Sequence, residues 1–187
     1  MKIIYLLLLL FPFSVFAESM IGYGISTGTY RAEDSEGPTA NADEQSIARF
    51  FYANKLHRDS MWYAEYYQLS LELPANDTNI GQNVDIKAIN IGYLKRYAIS
   101  RNIKPWLGAG FNLSSNQYKD RHTADSDGYL LKSYKDLEEE NISAFAEITF
   151  SFDLSDDALL NARIQHIEPL SHGVLSNTFT LMFLYKI

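Results

Sequence analysis

The sequence predicts an all-β fold, an eight-stranded antiparallel up-and-down β-barrel that crosses a membrane. Three observations predict it. The last eleven residues alternate almost perfectly between an aromatic and apolar face and a mixed face. Apolar residues recur at every second position along most of the chain, and no long apolar run follows residue 17. The connections between the alternating segments are long and short in turn. A membrane helix needs about 20 apolar residues in a row, whereas a membrane strand needs only every second residue to be apolar.

The N-terminus reads as a secretory signal peptide. A basic start at Lys2 is followed by the apolar run 3–13, and Ala17 offers a small residue for cleavage. The run is too short to cross a bilayer as a helix. We therefore expect residues 1–17 to be removed and residues 18–187 to form the barrel domain. The chain has no cysteine, so neither a disulfide framework nor a lipid anchor on cysteine is expected.

Period-two alternation divides the mature chain into eight predicted strands. They cover about 20–30, 46–56, 61–73, 85–97, 104–114, 142–152, 158–167 and 177–187. In the first strand, large apolar residues alternate with glycine and serine, which suits lipid on one side and a crowded interior on the other. In the second, Phe50 and Tyr52 are predicted to face outward and Arg49 inward. In the third, Glu65 shares its face with aromatic and leucine residues, so a bulge or the opposite register near Glu65 stays open.

The remaining strands alternate more regularly. Residues predicted to face lipid in strands four to seven are Ile89, Ile91, Tyr93, Leu107, Ala109, Phe111, Leu113, Ile142, Ala144, Ala146, Ile148, Phe150, Phe152, Leu160, Ala162 and Ile164. In the closing strand, the lipid face consists of Phe179, Leu181, Phe183, Tyr185 and Ile187. Such a terminal stripe is typical of the last strand of a bacterial outer-membrane barrel, and we expect it to act as the assembly signal.

The connections alternate in length along the chain. The predicted long ones are 31–45, 74–84, 115–141 and 168–176, and the short ones are 56–60, 98–103 and 153–157. This alternation predicts long loops at one end of the barrel, with short turns and both termini at the other.

The segment Lys104-Pro105-Trp106-Leu107-Gly108-Ala109-Gly110-Phe111, preceded by Asn90-Ile91-Gly92-Tyr93, resembles a strand motif of the small outer-membrane porin-like barrels. These include the membrane domain of outer membrane protein A and the opacity proteins. The resemblance implies an outer-membrane location with membrane lipids and lipopolysaccharide as surroundings. It also implies barrel-assembly machinery and periplasmic chaperones as partners during biogenesis. The chain departs from the pattern at Ile187, where the family usually ends in phenylalanine, which bears on recognition by that machinery.

Charged residues on predicted inward faces suggest a plugged interior. An eight-stranded barrel is just wide enough to be filled by side chains. We expect an interior charge network formed by Arg49, Glu65, Lys87, Glu147 and Arg163, because buried ions must be paired. A conducting lumen would require these charges to line water instead.

The last hairpin contains the best catalytic candidates. They are His166, Glu168, Ser171, His172 and Ser176. Their spacing differs from the His-x-Ser pair and following Glu of lipid A deacylases, so ordinary polar loop residues are the favoured interpretation. No catalytic residue and no cofactor is assigned. No metal ligand is assigned either, because the remaining histidines have no other metal-binding residues at a suitable spacing.

The predicted loops 31–45 and 115–141 are acidic and polar, and three tyrosines in the second favour contact with an extracellular ligand. A solvated surface without a ligand is the simpler interpretation. The net charge of −7 argues against nucleic acid. We expect a monomeric outer-membrane barrel with a structural or surface-interaction role and no enzymatic activity. The alternatives are a narrow porin for small solutes and a lipid A-modifying hydrolase.

Overall fold

The computed structural model describes residues 18–33, 41–42, 47–100 and 104–187. The predicted signal peptide, residues 1–17, lies outside the described residues. Ten strands are described: β1 Ser19–Glu33, β2 Asn41–Ala42, β3 Ile47–His57, β4 Ser60–Leu73, β5 Gly81–Arg96, β6 Trp106–Ala124, β7 Leu130–Ser133, β8 Leu137–Asp153, β9 Ala158–Pro169 and β10 Gly173–Lys186. Among the described residues, no helix is long and apolar enough to cross a membrane.

Eight of these strands close into an antiparallel barrel, as the sequence predicts. The order is β1-β3-β4-β5-β6-β8-β9-β10, and β10 pairs with β1 to close the cylinder. The short strand β2 pairs with β1, and the short strand β7 pairs with β6; neither is one of the eight barrel strands. Following the paired residues once around the barrel from Met20 returns to β1 at Tyr30, a stagger of ten residues. Such a stagger requires strongly tilted strands, roughly 35–45° from the axis.

Apart from that of Lys87, the predicted strand faces agree with the structure, and the open question in the third strand is answered. All of the apolar residues that share a face with Glu65 point inward, and the β4–β5 register runs without a shift past Glu65. The outward neighbours of Glu65 on β4 are Ala64 and Tyr66. An inward orientation allows a carboxylate and large apolar groups to coexist, because each can find its own partners inside the barrel.

The lengths of the last hairpins differ from the prediction. The predicted loop 115–141 consists largely of strand, since β6 continues to Ala124 and β8 begins at Leu137. The predicted long connection 168–176 is a turn of only three residues, 170–172. Polar outward residues led to the loop prediction, but the inward residues Tyr118 and Leu137 pack on an apolar cluster and extend the sheet beyond the apolar belt.

The exterior carries a continuous apolar belt. Its exposed members include Ile21, Tyr23, Ile25, Phe50, Tyr66, Tyr93, Leu107, Phe111, Ile142, Phe150, Phe152, Ile164, Phe179, Leu181, Phe183, Tyr185 and Ile187. Large aromatic and aliphatic side chains exposed on every wall of a closed barrel match the lipid-facing band of a membrane barrel. The outward face becomes polar beyond Ile89 on β5 and beyond Leu113 on β6, which marks one edge of this belt.

Candidate functional site

The interior contains a polar layer between two apolar clusters. The lower cluster, mostly toward the termini, consists of Met20, Phe51, Ala53, Met61, Tyr63, Leu94, Trp106, Phe145, Ile167, Met182 and Leu184. On β8 and β9, its members Phe145 and Ile167 lie on the long-hairpin side of Glu147 and Arg163. The upper cluster, toward the long hairpins, consists of Tyr30, Ile47, Tyr67, Leu69, Leu71, Leu73, Val84, Ile86, Ala88 and Tyr118. Between them lies what we call the ionic layer, Arg49, Glu65, Glu147 and Arg163, which is buried in full.

Glu65 is the centre of the ionic layer because both arginines reach it. Arg49 Nη1 lies 3.1 Å from Glu65 Oε2. Arg163 Nη2 donates to the other carboxylate oxygen, Glu65 Oε1. Arg49 also donates from Nε to Ser26 at 2.8 Å, and its guanidinium lies 4.4 Å from the ring centroid of Tyr67. Two cations on one anion satisfy the requirement that buried charges be paired.

Glu147 supplies the balancing negative charge on the opposite wall. Its Oε2 accepts hydrogen bonds from the Tyr63 hydroxyl at 2.6 Å and from Gln165 Nε2 at 2.8 Å. Arg163 Nη1 lies 3.7 Å from the same oxygen. Gly92 makes this possible, because a Cβ there would come within 2.6 Å of the Tyr63 ring. The small residue on β5 therefore leaves the space through which Tyr63 crosses to Glu147.

Asparagines extend the layer upward. Asn90 donates from Nδ2 to Glu65 at 2.8 Å, and Asn112 donates to Asn90 Oδ1 at 2.7 Å. Asn112 Nδ2 also lies 3.0 Å from the Tyr67 hydroxyl. The sequence prediction named the charged members of the layer but missed these amides, as well as Tyr63 and Gln165. Their inward parity was the available signal, since each alternates with lipid-facing residues of its strand.

Lys87 does not belong to the interior. It is exposed on the outer face of β5. The reason is its parity with Ile89 and Ile91 on the lipid side, whereas Ala88 and Asn90 point inward. The predicted interior network therefore loses its one lysine, and the structure brings the other four residues together.

Several polar atoms of this region are buried and unpartnered within the described part of the chain. They include Arg49 Nη2, Arg163 Nε and Nη1, Glu147 Oε1 and Thr180 Oγ1. Burying a polar atom without a hydrogen bond costs free energy. The ionic layer is thus paired in charge but not saturated in hydrogen bonds, which leaves Arg163 with unused donors beside an unused carboxylate oxygen.

The catalytic candidates of the last hairpin do not converge on a nucleophile. His166 Nε2 lies 3.2 Å from Glu168 Oε2, and His166 Nδ1 lies 2.7 Å from Asn177 Oδ1, all on the outer surface. Ser176 is buried with the opposite parity and points into the barrel. Ser171 and His172 are exposed in the turn. Among the residues that the structure describes, no group of three or more His, Cys, Asp or Glu is placed to hold a metal ion.

Above the apolar belt, an ion pair joins the extended parts of β5 and β6. Lys119 Nζ lies 2.7 Å from Asp85 Oδ2, and Ser70 donates to Asp85 Oδ1 at 2.7 Å. The hydrogen bond from Lys119, followed by that from Ser70, lowers the pKa of Asp85 below its ordinary value. The same bond raises the pKa of Lys119. Both groups are about half exposed, so the pair holds two strands in register without contributing much stability.

A closed barrel with an apolar belt and a filled interior defines the class of small outer-membrane β-barrels, and solved structures of that class share the fold. Neisserial surface protein A matches with a TM-score of 0.60 and 14% identity over 90% of this chain and 97% of that one. The attachment invasion locus protein Ail of Yersinia pestis matches with 0.55 and 12% identity over 91% and 99%. OprG of Pseudomonas aeruginosa matches with 0.54 and 12% identity over 91% and 96%.

No family model and no curated protein matches the chain. The resemblance predicted from the sequence is therefore confirmed at the level of the fold. The fold is that of the small outer-membrane barrels, and the particular function has to come from the residues of this chain.

Proposed function

We propose that the chain is an integral outer-membrane barrel with a sealed interior, which acts at the cell surface through its long hairpins and has no enzymatic activity. One observation carries this proposal: the fully buried ionic layer lies between two apolar clusters. Glu65 holds an arginine on each of its oxygens, so the charges that could line a pore are engaged with one another. An ion would have to pass both an apolar cluster and this layer, and each imposes desolvation.

The surface role is supported by the shape of the end opposite the termini. The β6–β7 hairpin continues beyond the apolar belt, and β7 is exposed along its whole length. At its tip, Tyr129, Leu130 and Leu131 are each more than half exposed. Exposed aromatic and aliphatic residues on a projecting hairpin are typical of contact surfaces.

The charge of this end indicates which partners fit. Residues 115–141 carry seven acidic residues, including the three glutamates 138–140 after the start of β8, against four lysine and arginine residues. The barrel Ail has been solved in complex with the heparin analogue sucrose octasulfate. A polyanion of that kind is a poor match for the net negative charge of residues 115–141, which favours a cationic or weakly charged partner, or contact bridged by divalent cations.

The test is to fold residues 18–187 into lipid vesicles and confirm folding by altered gel mobility before heating. Conductance is then measured across a planar bilayer. We expect no discrete current steps from demonstrably folded protein. Regular current steps from the folded parent would contradict the sealed interior.

A second candidate, a narrow porin for small solutes, is favoured by the unpartnered atoms of the ionic layer. Arg163 has free donors 3.7 Å from Glu147, so a different pairing of the same residues is geometrically close. The same bilayer experiment decides between the two candidates.

A further inference from the structure

Four exposed cations lie at the barrel end that carries both termini. Arg58 belongs to the β3–β4 turn, Lys95 and Arg96 end β5, and Lys104 stands just before β6. We call these four residues the basic rim.

Backbone hydrogen bonds bring the segments of the basic rim together. Arg96 N donates to Asp59 O at 2.9 Å, which joins the end of β5 to the β3–β4 turn. Tyr97 N donates to Pro105 O at 2.9 Å, which joins both sides of the β5–β6 connection. The four cations therefore form one patch on one side of the barrel.

The basic rim carries an excess of positive charge, because Asp59 is the one acidic residue in its described segments, 56–60, 95–100 and 104–105. None of its four cations forms an ion pair within the described part of the chain. At the same end, Lys55 and Lys186 both pair with Glu18, at 2.7 and 3.6 Å. The acidic cluster of this end, Asp153, Asp156 and Asp157, is in and beside the β8–β9 turn. At this end of the barrel, the acidic residues therefore lie at the β8–β9 turn, and the four cations of the basic rim form a separate patch without ion pairs.

Aromatic residues fix the height of the basic rim relative to the apolar belt. Lys95 is paired in register with Leu107, an exposed member of the belt. Its Nζ lies 5.8 Å from the ring centroid of Tyr97, an exposed aromatic residue. The guanidinium of Arg96 lies 5.5 Å from the ring centroid of Trp106, a buried member of the lower cluster, so Arg96 lies at the mouth of the barrel. Aromatic residues of membrane barrels concentrate at the level of lipid headgroups. The cations therefore lie where apolar surface ends and phosphate groups would begin.

We infer that the basic rim binds the phosphate groups of anionic phospholipids in the membrane leaflet at the end that carries the termini. This inference rests on the proposed function, since it requires the barrel to span a bilayer. Charge complementarity and the position beside the belt both support a lipid occupant. Each cation close to an anionic membrane surface raises apparent affinity about fivefold. The acidic hairpins at the other end cannot contribute in the same way.

The test compares phosphatidylglycerol with phosphatidylcholine around the folded barrel. Residues 18–187 are folded into phosphatidylcholine vesicles, and the relative association of spin-labelled versions of the two lipids is measured. We expect a severalfold preference for phosphatidylglycerol that falls toward one in about 1 M salt. The variant Arg58→Gln/Lys95→Gln/Arg96→Gln/Lys104→Gln should lose the preference, because no other unpaired cations are described beside this edge of the belt.

A matched control removes cations from the opposite end through Lys87→Gln/Lys119→Gln/Lys132→Gln/Lys135→Gln. It should keep the preference of the parent. An unchanged preference in the rim variant, an equal loss in the control variant, or no preference in the parent would each overturn the inference. A chain that shows no heat-modifiable folded form in either lipid would contradict the proposed function instead, so the two failures are distinguishable.

Discussion

Single residues decide whether the interior of this barrel is sealed, and Glu65 is the most consequential of them. It is buried in full and receives Arg49 and Arg163 on separate oxygens. Because each arginine depends on this carboxylate, its removal affects three charges at once. The charge pairing of the interior thus depends on Glu65, and the sequence alone did not decide whether Glu65 faces inward or outward.

Replacement of Glu65 by glutamine is expected to lower the free energy of unfolding by about 3–5 kcal/mol, because two buried guanidinium groups lose their counter-ion. Urea unfolding in lipid vesicles, followed by tryptophan fluorescence, measures this change. Lys87→Gln is the control, since its side chain is exposed, and should stay within about 0.5 kcal/mol of the parent. A loss in Glu65→Gln as small as in the control would show that the ionic layer is not paired as described.

Glu18 is expected to make the stability of the fold depend on pH. The hydrogen bond from Lys55 lowers the pKa of Glu18 below its ordinary value of 4.5, and Lys186 adds to the effect. A carboxyl whose pKa is lowered by folding stabilises the fold fully above its unfolded pKa, and this contribution is lost as pH falls through the folded value. The side chain is about one-third exposed, so only a few tenths of a kcal/mol are expected.

Glu18→Gln should therefore be slightly less stable than the parent at neutral pH and indistinguishable from it well below pH 4.5. Urea midpoints measured across this range provide the test. Glu72→Gln, at an exposed position on β4, serves as the comparison. A difference between Glu18→Gln and the parent that grows as the pH falls would contradict the assigned sign.

Much of the residue-level pattern could be predicted from the sequence, because alternation assigns each side chain to a face. Alternation alone predicts that Arg49, Glu147 and Arg163 point inward. Which inward residues pair with one another could not be predicted from the sequence. The pairing depends on the stagger of ten residues, which decides which side chains lie at the same height inside the barrel. The same limitation explains why Tyr63 was missed: its hydroxyl matters only because Gly92 opens the path to Glu147.

At the scale of elements, β6 is the strand that departs most from a regular wall. Asp120 has a positive φ of 53°, and the register with β5 shifts between Gly81 and Asn83. This bulge reverses the alternation of β6. Arg121 consequently points inward, where its Nε donates to Gln82 at 3.0 Å, instead of facing solvent. Bulges of this kind re-aim a side chain and increase strand twist.

Asp120→Val is expected to disfavour the bulge, because a β-branched residue is strained at positive φ. A regular strand of the same length would turn Arg121 outward, which releases the β6–β7 hairpin. Limited proteolysis of the vesicle-bound barrel should then cut the hairpin faster, while heat-modifiable gel mobility stays unchanged. Asp120→Gly is the matched variant, because glycine adopts a positive φ without strain and should keep the hairpin resistant. Equal protease resistance in Asp120→Val and the parent would show that the bulge does not fix the hairpin.

Element lengths were less predictable than element faces. The outward residues of β6 beyond Leu113 are polar, so a lipid-facing pattern ends there and the sequence suggests a loop. The strand continues because its inward residues still pack on apolar neighbours. Where a barrel strand extends beyond the lipid, its outward residues become polar while its inward residues stay apolar. The outward pattern therefore predicts where the lipid-facing surface ends, and only the inward pattern predicts where the strand ends.

For the whole molecule, closure depends on the seam between β1 and β10. The register pairs fourteen residues of each strand, from Met20 with Lys186 to Glu33 with Gly173. The seam joins the first and last parts of the domain, so it forms from the most distant contacts in the chain. Contacts of high sequence separation carry the largest loop-closure entropy and form slowly.

Gly24 is the position at which this seam can be tested. A Cβ there would lie 2.5 Å from the backbone oxygen of Leu181, so β1 cannot keep its distance from β10 with a larger residue. Gly24→Val is expected to slow closure and reduce the heat-modifiable fraction reached in vesicles, even though valine favours strands. Ala48→Val is the control, because Ala48 faces lipid on the neighbouring strand and has room outward. Folding time courses on gels compare the two. If Gly24→Val closed as fast and as completely as Ala48→Val, close approach at the seam would not limit assembly, and the stagger would have to be fixed elsewhere in the barrel.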